Sequence, residues 1–256
     1  MYTKNPVRAK KHLGQHFLRD ETIAGSVAET IEWQAKQKTI EVGPGTGKLT
    51  KHLPKKGIDL RVAEIDRESV AYLHEHYPEL EIIQKDFLTL KLDEMLNENG
   101  IVIGNYPYNI SSQIVFHCLD YRHVVHSMSG MFQKEVAERI TAKHGNKTYG
   151  ILSVLVQTYY EASYLFTVEP GAFSPPPKVR SAVIRLTRKP DVNLPVSYSW
   201  LKTVVKIAFN QRRKTLRNAL KPLLKGKTPE YPLLQLRAEQ VSVAQFADLA
   251  HWLENL

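Results

Sequence analysis

Thr39-Ile40-Glu41-Val42-Gly43-Pro44-Gly45-Thr46-Gly47 reads as a short buried strand that runs straight into a glycine-rich turn. The run over 39–42 suits a strand covered on both faces, and the glycines allow a sharp turn and close approach of a ligand to the backbone. A helical pattern carrying Leu49 and Leu53 follows. Lys48 stands where the third glycine of G-x-G-x-x-G would be, which disfavours a dinucleotide, and the absence of G-x-x-x-x-G-K-[ST] excludes a P-loop. Working outward, 60–65, 80–84 and 101–104 read as further strands. A helix through Val70 and Leu73 follows the first of them, helices cover about 111–121 and 135–143, and one more strand falls within 124–133. Upstream, Asp20 is placed to cap a helix with Ile23, Val27 and Ile31 on one face. Strands alternating with helices imply an α/β fold with a doubly wound, Rossmann-like parallel sheet.

The chain has 256 residues, of which 43% are hydrophobic, enough for one sizeable core and a small second domain. Its formal charge of +9 points to an anionic partner, with nucleic acid the first candidate. Cys118 is the only cysteine, so no internal disulfide and no cysteine zinc cluster can form; its apolar helical setting makes it a small core residue. The pairs His74/His76 and His123/His126 lack a complete ligand set and read as surface histidines, so no metal is expected. No apolar stretch approaches the ~20 residues of a membrane span. The basic start (Lys4, Arg8, Lys10, Lys11) has no apolar core of a secretory signal, so a cytosolic protein is expected.

Four features fall at successive strand ends, where open α/β sheets bind ligands. The glycine turn, with Gly43 and Gly45, comes first. Glu64-Ile65-Asp66 follows about 20 residues later, where an acid can accept the hydroxyls of a ribose. Asp86 could then accept from an adenine amine, with Phe87 beside the ring. Last comes Asn105-Tyr106-Pro107-Tyr108. Each alone has an ordinary explanation as a turn, a surface acid or a cap. The ordered set points to S-adenosylmethionine. The exocyclic amine of a nucleobase is a poor nucleophile, because its lone pair is delocalised into the ring. The Asn105 carbonyl, with a main-chain carbonyl near Pro107, can accept both amine hydrogens and draw the nitrogen toward a reactive form. Pro107 fixes the turn and removes a competing donor, and Tyr108 offers a face for the base.

These stretches resemble the ribosomal small-subunit RNA adenine dimethyltransferases. The resemblance also rests on Gly14-Gln15-His16-Phe17-Leu18, Gln133-Lys134-Glu135-Val136, Phe173 to Val179 with Ser181, and Phe209 to Leu220, and so spans nearly the whole chain. It implies that Gln15, His16 and Leu18 cover the methionine and ribose side of the cofactor. It further implies that Glu64 binds the ribose, that Asp86 binds the adenine, and that Phe173 stacks on the target base opposite Tyr108. The activity implied is dimethylation of N6 on two adjacent adenosines near the 3′ end of 16S rRNA during small-subunit assembly. Two positions depart from the family pattern: His16, often Asn, and Tyr106, usually Leu, whose phenol could alter base entry.

Composition changes near Phe173-Ser174-Pro175-Pro176-Pro177, and 181–187 alternates as an edge strand should. A linker over 190–195 leads to helical patterns, with Ser242-Val243-Ala244-Gln245 a capping box. The expected division is a methyltransferase domain over 1–187, with a basic arm at 1–19, and a helical RNA-binding domain over 188–256. Arg212, Arg213, Lys214, Arg217 and Lys221 form a basic helical segment opposite Phe209, Leu216 and Leu220, suited to phosphate contact with folded rRNA. A solvated helix face is the ordinary meaning of such a run. A monomer is expected. The rival readings are a large-subunit rRNA dimethylase, a DNA adenine methyltransferase, and an assembly factor without catalysis.

Overall fold

The computed structural model describes residues 7–54 and 57–256; Lys4 of the basic arm lies outside them. Strands β1 (Phe17–Leu18) and β8 (Phe173–Ser174) pair with each other. The main sheet has seven strands: β2 (Gln37–Val42), β3 (Ile58–Ala63), β4 (Glu81–Ile83), β5 (Gly100–Asn105), β6 (Val125–Gln133), β7 (Tyr160–Val168) and β9 (Ser181–Arg188). Their order is β4-β3-β2-β5-β6-β9-β7, with β2 to β6 parallel and β9 antiparallel to β6. The sheet is therefore the expected α/β, Rossmann-like one.

The helices are α1 (Glu21–Ala28), α2 (Arg67–His76), α3 (Leu92–Met95), α4 (Ser111–Asp120), α5 (Lys134–Thr141), α6 (Ile151–Tyr159), α7 (Tyr198–Asn210), α8 (Leu216–Ala219) and α9 (Val243–Glu254). Their starts obey side-chain chemistry. Asp20 accepts from the Thr22 and Ile23 N–H groups, and Asp66 accepts from that of Glu68. Ser242 and Gln245 cap each other reciprocally.

Several expectations change. The helix after Gly47 is only a 3₁₀ turn, Thr50–His52, because Pro54 forces Leu53 into an extended conformation. Leu49 and Leu53 are buried regardless. Strand β9 is not an edge strand; it lies between β6 and β7, and Ala182, Val183 and Ile184 are fully buried. Helix α6 and strand β7 share one apolar run in which Tyr159 passes directly into Tyr160, with no turn residue to separate them. By internal contacts the chain forms two units. One runs to Ala137 and takes in Ser163–Arg188; the other is Glu138–Ala162 with Lys189–Leu256. Residues 138–162 thus group with the C-terminal helices, where α6, α7 and α9 pack together and Phe209 stacks on Phe246. A single cut at 187/188 misses this, because the contribution of α6 is distant in sequence. Among the described residues no helix is long and apolar enough to cross a membrane.

Register carries the functional consequence. Ile83, Ala63, Val42, Gly104 and Gly130 are neighbours in one row across five strands. The chain leaves the sheet after Ile83, Ala63 and Val42 and, one residue further on, after Asn105, so these strand ends share one edge, while β6 continues to Gln133. At this edge a Cβ on Gly130 would sit 2.0 Å from the Gly104 carbonyl oxygen and 2.8 Å from the Tyr106 ring. The missing side chain makes room for that ring, which is 1% exposed and packs on Phe132. The phenol oxygen lies 2.8 Å from the Ser129 carbonyl and 3.1 Å from that of Val102. Tyr106 therefore borders the site with its hydroxyl turned inward, tied between β5 and β6. Tyr106→Leu should lower stability by about 2–3 kcal/mol, from lost ring volume and a lost buried hydrogen bond, without raising the methyl-transfer rate. Thermal melts with parallel rate measurements check this, and a clear rate gain would show that the ring hinders the site.

Candidate active site

Gly43 and Gly45 follow β2 with φ of 66° and 58°, a region that favours glycine. A Cβ on Gly45 would meet the Phe17 ring at 2.7 Å, so only glycine lets the loop pass beneath the arm. Glu64 follows β3 and is 5% exposed. Its two oxygens accept the N–H groups of Gly45 (3.1 Å) and Asp66 (2.9 Å). Burial raises its pKa against these hydrogen bonds.

The arm is fastened over this edge. Lys10 pairs with Asp66, and with Glu68 at 3.1 Å; Gln15 Nε2 donates to Asp66 at 3.2 Å. Burial works to raise the pKa of Asp66, but hydrogen bonds from Lys10 and Gln15 outweigh it and hold the carboxyl below its ordinary value. Gln15 Oε1 accepts the main-chain N–H of Lys10 at 2.8 Å, so both polar atoms of that side chain are engaged.

The turn after β5 is held by the same arm. Asn105 Nδ2 donates to the His16 carbonyl oxygen at 2.8 Å. A carbonyl can only accept, so the amide orientation is fixed and Asn105 Oδ1 is left as an acceptor. Asn109 Nδ2 donates to the His12 carbonyl at 3.3 Å. Tyr108 hydrogen-bonds through its hydroxyl to Ser181, and its ring stacks on His16 with centroids 5.2 Å apart. A cavity of about 160 Å³ opens among these groups; Gln15, His16, Gly43, Gly45, Glu64, Ile65, Asp86, Asn105, Pro107 and Tyr108 all line it. Ile65 is 52% exposed, one of two large apolar residues so exposed among those described.

Three expected residues do not line this cavity. Phe87 is 3% exposed and turns edge-on to His117 in the core. Leu18 is 4% exposed; it belongs to the core and borders a second, smaller cavity. Phe173, opposite Leu18 in the β1–β8 pair, is 1% exposed and packs in the same core cluster. It does not line the main cavity, so the expected open face opposite Tyr108 is absent from this structure. Strand pairing between β1 and β8 turns it inward.

Residues 7–255 match the family described as ribosomal RNA adenine dimethylase. The chain belongs to that family. It is 53% identical over 252 residues to the Ribosomal RNA small subunit methyltransferase A of Flavobacterium johnsoniae, covering 97% of each chain. It is 52% identical over 247 residues to the protein of that name from Parabacteroides distasonis, covering 95% of this chain and 93% of the relative. A dimethyladenosine transferase from Plasmodium falciparum shares the fold at TM-score 0.75 and 24% identity, over 93% of this chain and 97% of that one. The 23S rRNA methyltransferase ErmE aligns at TM-score 0.69 and 25% identity, over 91% and 98%.

One residue of this dimethylase that the sequence alone does not assign to the site is Glu41. It is 1% exposed, and its Oε2 is buried with no hydrogen-bond partner among the described residues. It borders the second cavity, of about 20 Å³, with Gly43, Lys48 and Asn105. The available signal was an acid inside an apolar parallel strand, directly before the glycines. An orphaned buried carboxyl oxygen beside this loop fits the ammonium group of S-adenosylmethionine, and the acceptor oxygens of Glu64 and Asp86 at the main cavity are of a kind that suits ribose hydroxyls and an adenine amine. Burial, with repulsion from Glu64, pushes the Glu41 pKa up from 4.5 to about 8. The ligand-free folded chain then keeps a proton that the unfolded chain loses, so Glu41 makes stability fall as pH rises from about 4.5 to 8. Glu41→Gln should remove that dependence, raising the melting temperature at pH 8 more than at pH 5. It should weaken cofactor binding about tenfold or more, as expected for loss of a charged hydrogen bond. Melts at both pH values and titration calorimetry read these two effects; unchanged cofactor affinity would remove Glu41 from the site.

Proposed function

We propose that this chain transfers methyl groups from S-adenosylmethionine to N6 of two adjacent adenosines near the 3′ end of 16S rRNA, making both dimethylated during small-subunit assembly. The observation that carries this is the Asn105 amide. Its nitrogen is held by the arm and its oxygen is left as an acceptor at the strand edge shared by Gly43 and Glu64.

Gly43 and Gly45 let the cofactor approach the backbone, Glu41 receives its ammonium group, and Glu64 and Asp86 bind its ribose and adenine. When bound, S-adenosylmethionine supplies a methyl group on a cationic sulfur that leaves as a neutral thioether. Asn105 Oδ1 and a main-chain carbonyl of the same turn accept the two N6 hydrogens and aim the nitrogen lone pair at the methyl carbon. Transfer would form the N–C bond as the C–S bond breaks, and the extra proton on nitrogen would pass to solvent. Alignment, more than acid–base activation, is what the protein provides. The target adenine leaves its stack and rests on Tyr108. Asn105, Pro107 and Tyr108 are the catalytic residues.

The second unit supplies phosphate contacts. Arg213, Lys214 and Lys221 are exposed, while Arg212 and Arg217 are half-buried. Arg212 reaches the Asn146 carbonyl at 3.4 Å and the Glu239 carboxylate at 3.8 Å. Only 216–219 of the expected basic helix is α-helical; Arg213 and Lys214 sit on the turn before it. The protein works as a cytoplasmic monomer on an assembling small subunit. Arg213→Glu with Lys214→Glu should weaken subunit binding and flatten its salt dependence by about one unit of log-log slope per lost phosphate contact. An unchanged slope would take the turn out of the interface.

The activity itself is tested on small subunits from cells that lack the modification. They are incubated with the protein and S-adenosylmethionine, and methyladenosines are mapped by mass spectrometry. Two adjacent N6,N6-dimethyladenosines near the 3′ end, with none on large subunits, are expected. Transfer only to large-subunit RNA would favour an activity like that named for ErmE. Tight binding without transfer would make the chain an assembly factor.

A further inference from the structure

His16 touches both residues that handle the target base, through different groups. Its main-chain carbonyl accepts the Asn105 amide hydrogen at 2.8 Å. Its ring stacks on Tyr108 with centroids 5.2 Å apart and planes 29° from parallel. Its Nδ1 lies 2.8 Å from the Pro175 carbonyl oxygen, which can only accept, so Nδ1 carries the proton in this contact. The imidazole is thereby tied to the segment that also supplies Ser181 to the Tyr108 hydroxyl. An asparagine at position 16 cannot make the ring contact.

The spacing decides how the slot can work. A base inserted between the two rings would need two stacking distances, about 7 Å in all, and the rings are closer than that. With one face covered and its hydroxyl held by Ser181, Tyr108 is left with its other face for the base.

We propose that His16 is a positioning residue for the target base, its imidazole backing Tyr108 while its carbonyl holds Asn105. One residue of the arm then sets the distance between the stacking face and the acceptor of the N6 hydrogens. This rests on the methyl-transfer reading above and moves the His16 side chain from the cofactor to the base. The carbonyl contact survives any substitution at position 16, so side-chain variants isolate the ring.

The test compares wild type, His16→Ala and His16→Phe by single-turnover methylation of unmodified small subunits at saturating cofactor, with cofactor Kd from calorimetry and a thermal melt for each. The Ala variant should keep cofactor Kd within about twofold and lose about tenfold in rate, the size of one aromatic contact. The Phe variant keeps a ring without Nδ1 and should recover most of that rate. A large rise in Kd with the rate intact would make His16 a cofactor ligand and overturn the proposal. A rate in Ala equal to or above wild type would also overturn it, leaving the ring a bystander or an obstruction. Phe as slow as Ala would place the effect in the Pro175 hydrogen bond instead of the stack. Wild-type protein that transfers no methyl group would remove the methyl-transfer reading, and the role of His16 with it; active wild type with an unaffected Ala variant refutes the His16 role alone.

Discussion

Ile83, Ala63, Val42, Gly104 and Gly130 lie in one hydrogen-bonded row, and the placement of the site follows from it. Because these parallel strands are in register, Gly43, Glu64 and Asn105, each next in its chain, lie side by side. A slip in any one strand would exchange its inward and outward side chains and carry its site residue away from the others. Gly130 secures the row at the β5–β6 boundary, where a side chain would collide with the Gly104 carbonyl and with Tyr106.

On that row the arm acts as a second constraint. Lys10 and Gln15 bind Asp66 at the end of β3, while the His12 and His16 carbonyls take the amides of Asn109 and Asn105 after β5. The two ends of the cavity are thus joined by a short piece of chain outside the sheet. The Lys10 ion pairs are partly exposed and are screened by salt, whereas the amide–carbonyl contacts are neutral and much less salt-dependent. Fixing the Asn105 amide before substrate arrives is how such a site reduces the ordering needed at the reaction itself.

Much of this was legible in the residues because the signals were local. Strand-then-glycine, acid at a strand end and Asn-x-Pro-aromatic each sit within a few residues, and the parallel α/β fold follows from their alternation. What was not legible depends on contacts far apart in sequence. Phe173 and Leu18 face the core because β8 pairs with β1 across more than 150 residues, and no local pattern records that pairing. The boundary between α6 and β7 falls inside an unbroken apolar run. Tyr106, read as a phenol near the base, points inward because Gly130, 24 positions on, leaves it a slot. Glu41 carried a signal, a charge in a buried strand, but its orphaned oxygen appears only with the cavity beside it.

The proposed reaction depends on the arm holding the Asn105 amide so that its oxygen meets the target amine. The most direct measurement is a crystal structure of the protein with S-adenosylhomocysteine and an adenosine-containing RNA fragment, at a resolution that defines hydrogen-bond networks. Asn105 Nδ2 should still be on the His16 carbonyl, with Oδ1 within hydrogen-bond distance of adenine N6. A flipped amide, or an N6 that reaches no carbonyl of the 105–108 turn, would contradict it.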